Sequence, residues 1–368
     1  MEEHGGNIEK ALKEYRIKEG ALIDFSANIN PLDMPYSVRK AIIDKLKYAQ
    51  RYPEPGYNEL KKHLADFYKV RLEEMLPDNG SISLIYLIPR ALGLTKPCIP
   101  IPTFSEYEKS FLLSGAKPMF IKPTQDLSLA MDAIIRCLGQ GKIDSLYLCN
   151  PNNPTGLSIP KEDVVKILKA AKKKKVTVIV DEVFVEFTDA PKKHSVIEEA
   201  RNFKNVVILR SMTKYFGLAG LRLGTAIANE GIIKRLKAHQ PPWAVNTVAV
   251  SAAIAFLKNA KYARDSHHLI SSEKKFFYDS LSGFTLLQVW KPSANFIFCR
   301  IKDKKLKAAV LKNRLAKRGI LIRDCANFRG LDSSFFRVAV RTRPENERLI
   351  SELKNLGVGA GPRACPKQ

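Results

Sequence analysis

The sequence predicts an α/β protein: a mostly parallel central sheet with helices on both faces, followed by a smaller α+β C-terminal domain. Three observations carry that prediction. Short β-rich runs alternate with amphipathic stretches through the middle of the chain, which is the pattern of βα units. The strand-like runs are very apolar, as in Val176–Val180, and suit strands covered on both faces. After about residue 250 the alternation ends, and a long helical region leads into strands with one helix between them.

Taken in order, residues 1–40 are rich in Gly, Asn and Pro and read as an arm rather than a domain. Gly56–Val70 places Leu60, Leu64 and Phe67 at helical spacing. Asn79-Gly80 opens a helical segment over 81–93. Strand-like runs follow at 97–101, 117–121, 143–149, 176–181 and 205–210, with helical stretches such as 105–114 and 161–173 between them. Lys172–Lys175 close the second of these helices, where cations complement the dipole. A helical region over 248–281 precedes strands near 295–301, 320–323 and 335–341, and a last helix starts at Pro344. The expected organisation is an N-terminal arm over 1–40 that contributes to the site and to the small domain. A large domain follows over 41–250, a small one over 251–356, and a disordered tail over 357–368.

Composition narrows the functional classes. A chain of 368 residues can build two cores, and its apolar runs are strand-sized, too short to cross a bilayer. The opening Met-Glu-Glu-His-Gly-Gly has no basic region followed by an apolar core, so a cytoplasmic protein without a membrane partner is expected. Cys98, Cys137, Cys149, Cys299, Cys325 and Cys365 are scattered without a Cys-x-x-Cys pair and read as free thiols, with no metal site implied. The formal charge of +24 is spread along the chain without a basic tail. Nucleic acid is therefore not the expected partner, whereas a basic surface would attract a small dianionic substrate.

Residues 211–224, Ser-Met-Thr-Lys-Tyr-Phe-Gly-Leu-Ala-Gly-Leu-Arg-Leu-Gly, are the most informative stretch. Lys214 can form a Schiff base with an aldehyde. Ser211, Thr213 and Arg222 can hold a phosphate beside it, since hydroxyls and a planar guanidinium suit phosphate oxygens. Pyridoxal phosphate carries both groups; a plain strand-to-helix turn with one exposed lysine is the alternative. Asn150-Pro151-Asn152-Asn153-Pro154-Thr155-Gly156 follows a strand, and an asparagine amide there can donate to a phenolic oxygen. Asp181 ends an apolar strand and needs a cation, which a protonated pyridine nitrogen would supply; a helix cap or structural ion pair is its other reading. Asn79-Gly80-Ser81-Ile82 opens a helix whose free N–H groups can bind an anion, or simply caps it. Tyr107 can stack on a pyridine ring, with Phe104 as its competitor.

Together these residues resemble the fold-type-I pyridoxal phosphate enzymes. The resemblance lies in the branch shared by histidinol-phosphate aminotransferases and the threonine-phosphate decarboxylases of cobalamin synthesis, and runs from His4 to about Leu353. It implies that Lys214 holds the cofactor covalently, Asp181 pairs with the pyridinium and Asn153 donates to the ring 3′ oxygen. Ser81, Ile82, Ser211, Thr213 and Arg222 would surround the cofactor phosphate. Tyr52, in Arg51-Tyr52-Pro53-Glu54-Pro55, matches the family tyrosine that reaches the phosphate of the neighbouring subunit, which implies a homodimer with shared sites.

Further strings resemble the decarboxylases: His4-Gly5-Gly6-Asn7, Asp24–Leu32, Pro241–Asn246, Ile322–Cys325 with Phe328–Leu331, and Phe336–Arg343. Arg337 then matches the arginine that pairs with the substrate carboxylate. Arg323, His4 and Asn28 are the candidates for the substrate phosphate. Strand-edge ion pairs are the other reading of Arg323 and Arg337, while Arg341 and Arg343 read as solvated charges. The implied reaction is decarboxylation of O-phospho-L-threonine to (R)-1-aminopropan-2-yl phosphate for cobamide nucleotide-loop synthesis. O-phospho-L-serine is a close variant, differing by one methyl group, and histidinol-phosphate transamination is the alternative. Three positions depart from the family pattern. Phe184 stands where many aminotransferases carry a tyrosine, Ile82-Ser83 replaces the more usual Thr-Glu, and Thr225 also stands at a common tyrosine position.

Overall fold

The computed structural model describes residues 4–18 and 20–358. A seven-stranded sheet forms its centre. In spatial order its strands are Met75–Asp78, Gly224–Ala228, Val206–Ser211, Thr177–Asp181, Ser145–Cys149, Pro97–Pro100 and Met119–Ile121. Gly224–Ala228 runs antiparallel to both of its neighbours, and the remaining pairings are parallel. Strand periodicity sends alternate side chains to opposite faces. Val178, Val180 and Ile208 enter one apolar cluster, while Ile179, Val207 and Leu209 enter another.

Each cluster is closed by helices. Gly80–Leu92, Glu106–Leu113 and Glu230–His239 cover one face through Leu84, Ile88, Phe111 and Leu236. Asn58–Tyr68, Met131–Gly139, Lys161–Lys173 and Thr247–Leu257 cover the other. Lys161–Lys173 turns Val164, Ile167, Leu168 and Ala171 inward, with Glu162 and Asp163 in its first turn and Lys172 and Lys173 in its last. Its charges thus complement the dipole at both ends. Burying Val164, Ile167 and Leu168 contributes about 1.5–3 kcal/mol each.

The C-terminal part forms a four-stranded antiparallel sheet in the order Arg323–Asp324, Phe335–Ala339, Phe296–Ile301, Leu287–Val289. Helices Ala260–Ser282, Ala308–Ala316 and Arg343–Asn355 accompany it. Thr342 and Glu345 form a capping box at the last helix, so Pro344 is its second residue rather than its first. The N-terminal segment is tied to this part of the molecule. Ile23–Asp24 pairs in parallel with Ile320–Leu321, and the Phe25 carbonyl accepts from the Ala339 N–H at 2.8 Å.

Several local expectations need correction. The arm contains a helix, Ile8–Tyr15, whose Asn7 side chain accepts from the Lys10 N–H. In Asn58–Tyr68 the inward positions are Leu60, Leu64 and Tyr68, while Phe67 is 42% exposed, because the helix starts at Asn58 and its stripe follows an i, i+4, i+8 line. The 248–281 region is two helices, broken where the Asn259 side chain accepts from the Tyr262 N–H. Arg341 and Arg343 are not merely solvated: Arg341 is paired with Glu345 at 2.7 Å, and Arg343 with Glu273 at 3.0 Å. Val358, placed in the tail by the sequence, is buried in the main core; residues 359–368 lie outside the described residues. No helix among the described residues is long and apolar enough to cross a membrane. No His/Cys/Asp/Glu cluster among them could hold a metal ion.

Candidate active site

Ligands of parallel sheets bind beyond the carboxyl ends of the strands, and a cavity of about 330 Å³ lies there. Lys214 and Asp181 both line it. Asp181 is the last residue of its strand, and Tyr107 Oη (2.7 Å) and the Val183 N–H (3.0 Å) both donate to its carboxylate. Burial pushes its carboxyl up to about 6, and those two hydrogen bonds only partly oppose the shift. Burial pushes the Lys214 amine down to about 8, and the Arg337 and Arg222 cations push the same way. A lysine so shifted has a substantial neutral, nucleophilic fraction near neutral pH.

The Lys214 backbone is braced by the Asp24–Leu32 string. The Asn30 N–H donates to the Lys214 carbonyl at 3.0 Å, and Asn30 Nδ2 donates to the Tyr215 carbonyl at 2.9 Å. Asn153 lines the cavity with Oδ1 committed to Arg337 Nη1, which leaves its Nδ2 to donate. Phe184 also lines the cavity and packs edge-on against Phe296 at 5.0 Å. Tyr107 does not serve as a free stacking platform. It is buried, bonded to Asp181, and stacked on Tyr147 at 4.0 Å. Phe104, half-buried on the wall, is the ring left for that task.

At one end of the cavity Ser81, Ile82, Thr213 and Arg222 converge. Gly80 has φ +77, and a Cβ there would stand 2.7 Å from Arg222 Nη2. One on Gly224 would stand 2.2 Å from the Ser81 nitrogen. The absence of side chains lets the helix start, with its free N–H groups, approach the guanidinium. Ser211 sits behind this end: its hydroxyl bonds Thr213 Oγ1 at 2.7 Å and does not line the cavity. The Thr225 hydroxyl is buried with no hydrogen-bond partner among the described residues.

His4, Asn28, Arg323 and Arg337 line the rest of the cavity. Arg337 donates to the Ser26 carbonyl at 3.0 Å and lies over the Phe296 ring. Its buried Nε has no hydrogen-bond partner among the described residues, and burial pushes its guanidinium down to about 10. Arg323 donates to the Asp324 carbonyl (2.5 Å) and to Asn327 Oδ1 (2.8 Å), over the Phe328 ring. The strand-edge ion-pair reading of Arg337 therefore fails, since its partners among the described residues are an amide and a carbonyl. Asn28 is only 3% exposed, and its Oδ1 has no hydrogen-bond partner among the described residues. Tyr52 is outside the cavity, 79% exposed and stacked on Trp243 at 4.3 Å. Cys325 is fully buried, and burial pushes its thiol up to about 12, which makes it chemically inert.

Sequence reasoning passed over Glu106 and Phe328, which also line the cavity. Glu106 lay within the Pro102–Tyr107 string, but nothing local distinguished it from an ordinary helix-start acid.

The residues present fit pyridoxal phosphate. Asp181 is a buried acid awaiting a cation, a neutralisable lysine shares its cavity, and a side-chain-free helix start faces an arginine. A family model described as aminotransferase class I and II matches residues 21–353, and pyridoxal phosphate is that family's cofactor. The threonine-phosphate decarboxylase of Salmonella typhimurium is 35% identical over 362 residues, 98% of this chain and 98% of that protein. The solved histidinol-phosphate aminotransferase of Clostridium acetobutylicum has a TM-score of 0.85 at 35% identity, covering 91% of this chain and 99% of that one. For the L-threonine-O-3-phosphate decarboxylase of Porphyromonas gingivalis the TM-score is 0.80 at 27% identity, over 90% and 98%. By matched length, identity and fold, this chain belongs to the class I and II aminotransferase family.

Proposed function

We propose that this protein decarboxylates O-phospho-L-threonine to (R)-1-aminopropan-2-yl phosphate, a building block of the cobamide nucleotide loop, with O-phospho-L-serine as a close variant. The observation that carries the reading is the surplus of anion-binding groups. Arg222 and the helix start account for one phosphate, and Arg337, Arg323, His4 and Asn28 remain for a second phosphate and a carboxylate. When bound, pyridoxal phosphate accepts the electron pair released at Cα as the carboxylate departs as carbon dioxide.

The chain's own residues do the rest. Lys214 Nζ would hold the cofactor covalently, Asp181 would keep its ring nitrogen protonated, and Asn153 Nδ2 would donate to the 3′ oxygen without help from Phe184. Arg337, whose Nε has no partner among the described residues, would grip the carboxylate and orient the Cα–carboxyl bond for cleavage. Arg323, His4 and Asn28 hold the phosphate and fix the rotation about Cα. Once carbon dioxide has left, Lys214 Nζ returns a proton to Cα. Tyr52 reaches the cofactor phosphate of a second copy, which makes the working unit a homodimer.

Likeness to histidinol-phosphate aminotransferases supports a second reading, transamination, in which Lys214 moves the Cα proton instead. The two are separated by incubating the protein with phosphothreonine, phosphoserine, or histidinol phosphate plus 2-oxoglutarate, and measuring carbon dioxide and glutamate. Carbon dioxide from the phosphoamino acids is expected. Glutamate without carbon dioxide sinks the decarboxylase reading.

A further inference from the structure

Consecutive residues of a helix point about 100° apart, so Glu106, Tyr107 and Glu108 cannot share a partner. Each holds a different part of the molecule. Tyr107 bonds Asp181 of the central sheet. Glu106 is 7% exposed; its Oε1 accepts from His4 Nε2 at 3.0 Å and from Lys109 Nζ at 2.9 Å, and its Oε2 accepts from Tyr86 Oη. Glu108 takes a two-toothed grip from Arg329, Nε at 3.0 Å and Nη2 at 2.5 Å, and that guanidinium also lies 4.3 Å from the Phe120 ring centroid.

His4 and Arg329 come from the two segments that border the cavity from outside the central sheet. His4 leads the N-terminal segment, which presses so close that a Cβ on Gly5 would stand 2.2 Å from the Ser26 carbonyl oxygen. Arg329 follows Phe328, a cavity residue under the Arg323 guanidinium. One acidic helical turn thus fastens both borders of the site to the helix that supports the acid of the cofactor pocket.

We propose that Glu106 and Glu108 are positioning residues: they latch the N-terminal segment and the 325–331 loop over the site, and so set the affinity for the phosphorylated substrate. The substrate's identity rests on the reading above; the latch does not. Because Arg329 is half exposed and only its partner is more covered, the pair is tested by reversal. In the holoenzyme, Arg329→Glu raises KM for phosphothreonine about five- to tenfold with kcat within about twofold, a loss in the range of an exposed but bidentate pair. Arg329→Glu with Glu108→Arg restores KM. Glu106→Gln raises KM further.

Hydrogen exchange provides the readout that needs no turnover. With inorganic phosphate as the probe, residues 5–8 and 326–331 are protected in the wild type, and Arg329→Glu loses protection at 326–331 alone. An inactive protein that still shows this exchange pattern contradicts the decarboxylase reading and keeps the latch. A reversed pair that fails to restore KM, or exchange in the loop unchanged by Arg329→Glu, overturns the latch.

Discussion

Arg337→Met separates the stability of this protein from its activity. Arg337 is 6% exposed, its Nε has no hydrogen-bond partner among the described residues, and burial lowers its pKa to about 10. The fold thus disfavours the cation by about 3 kcal/mol, in full below pH 10. The bonds to Asn153 and the Ser26 carbonyl oppose this, at about 1.5–3 kcal/mol each for a charged donor, so together they match or exceed it. Replacement by Met thus lowers the unfolding free energy by no more than about 3 kcal/mol, and Tm falls by no more than about 10 °C. Catalysis responds otherwise. Removing one member of a buried, hydrogen-bonded charge pair costs about 2–5 kcal/mol, so kcat/KM for phosphothreonine falls about 10²- to 10³-fold. Thermal melts and carbon dioxide release on the same samples measure both. A large Tm loss with activity reduced less than tenfold would show that Arg337 is a structural strut, and would refute the reasoning.

Three further outcomes follow from the same structure. In cofactor-free protein the Asp181 carboxyl titrates near 6 against 3.8 for the ordinary group. The folded state then holds a proton that the unfolded chain has released, so stability falls as pH rises from about 4 to 6, by up to about 3 kcal/mol. Urea melts across that window show the slope, and Asp181→Asn removes its contribution. Gly80→Ala forces a side chain into a left-handed conformation against Arg222, a strain of about 1–2 kcal/mol. Spectroscopic titration then shows cofactor affinity down roughly five- to thirtyfold, and an unchanged affinity places the phosphate elsewhere. Arg210→Ala strands Glu182 and Glu186, both buried and bonded to it at 2.7 and 2.6 Å. It lowers the unfolding free energy by about 3–5 kcal/mol, read as a reduced urea midpoint, and a midpoint unchanged from wild type contradicts that role.

The parts legible in the sequence are those whose signals are local. Val176–Val180 announces a buried strand by itself, and the strings around Lys214 and Asp181 sufficed to expect the two at one site, where one cavity holds both. Contacts made across long separations left no such trace. Gly224–Ala228 is a short strand that pairs with Met75–Asp78 about 150 residues earlier, and neither run has the length or alternation that marks a strand. The pairing of Arg210 with Glu182 and Glu186 depends on a sheet register, and Glu106 becomes distinctive only when the N-terminal segment folds back to bring His4 beside it. Tyr107 shows the subtler failure. Its hydroxyl bonds Asp181 while its ring stacks on Tyr147, and no local string announces either contact.

The most direct test follows the carboxyl carbon itself. O-phospho-L-threonine labelled with ¹³C at C1 is incubated with holoenzyme in deuterated water, and the products are resolved by NMR. The account predicts labelled carbon dioxide in equal amount with a phosphoamine carrying one deuterium at the former Cα. Retention of the label in an organic acid, with deuterium exchanged at Cα, would contradict it.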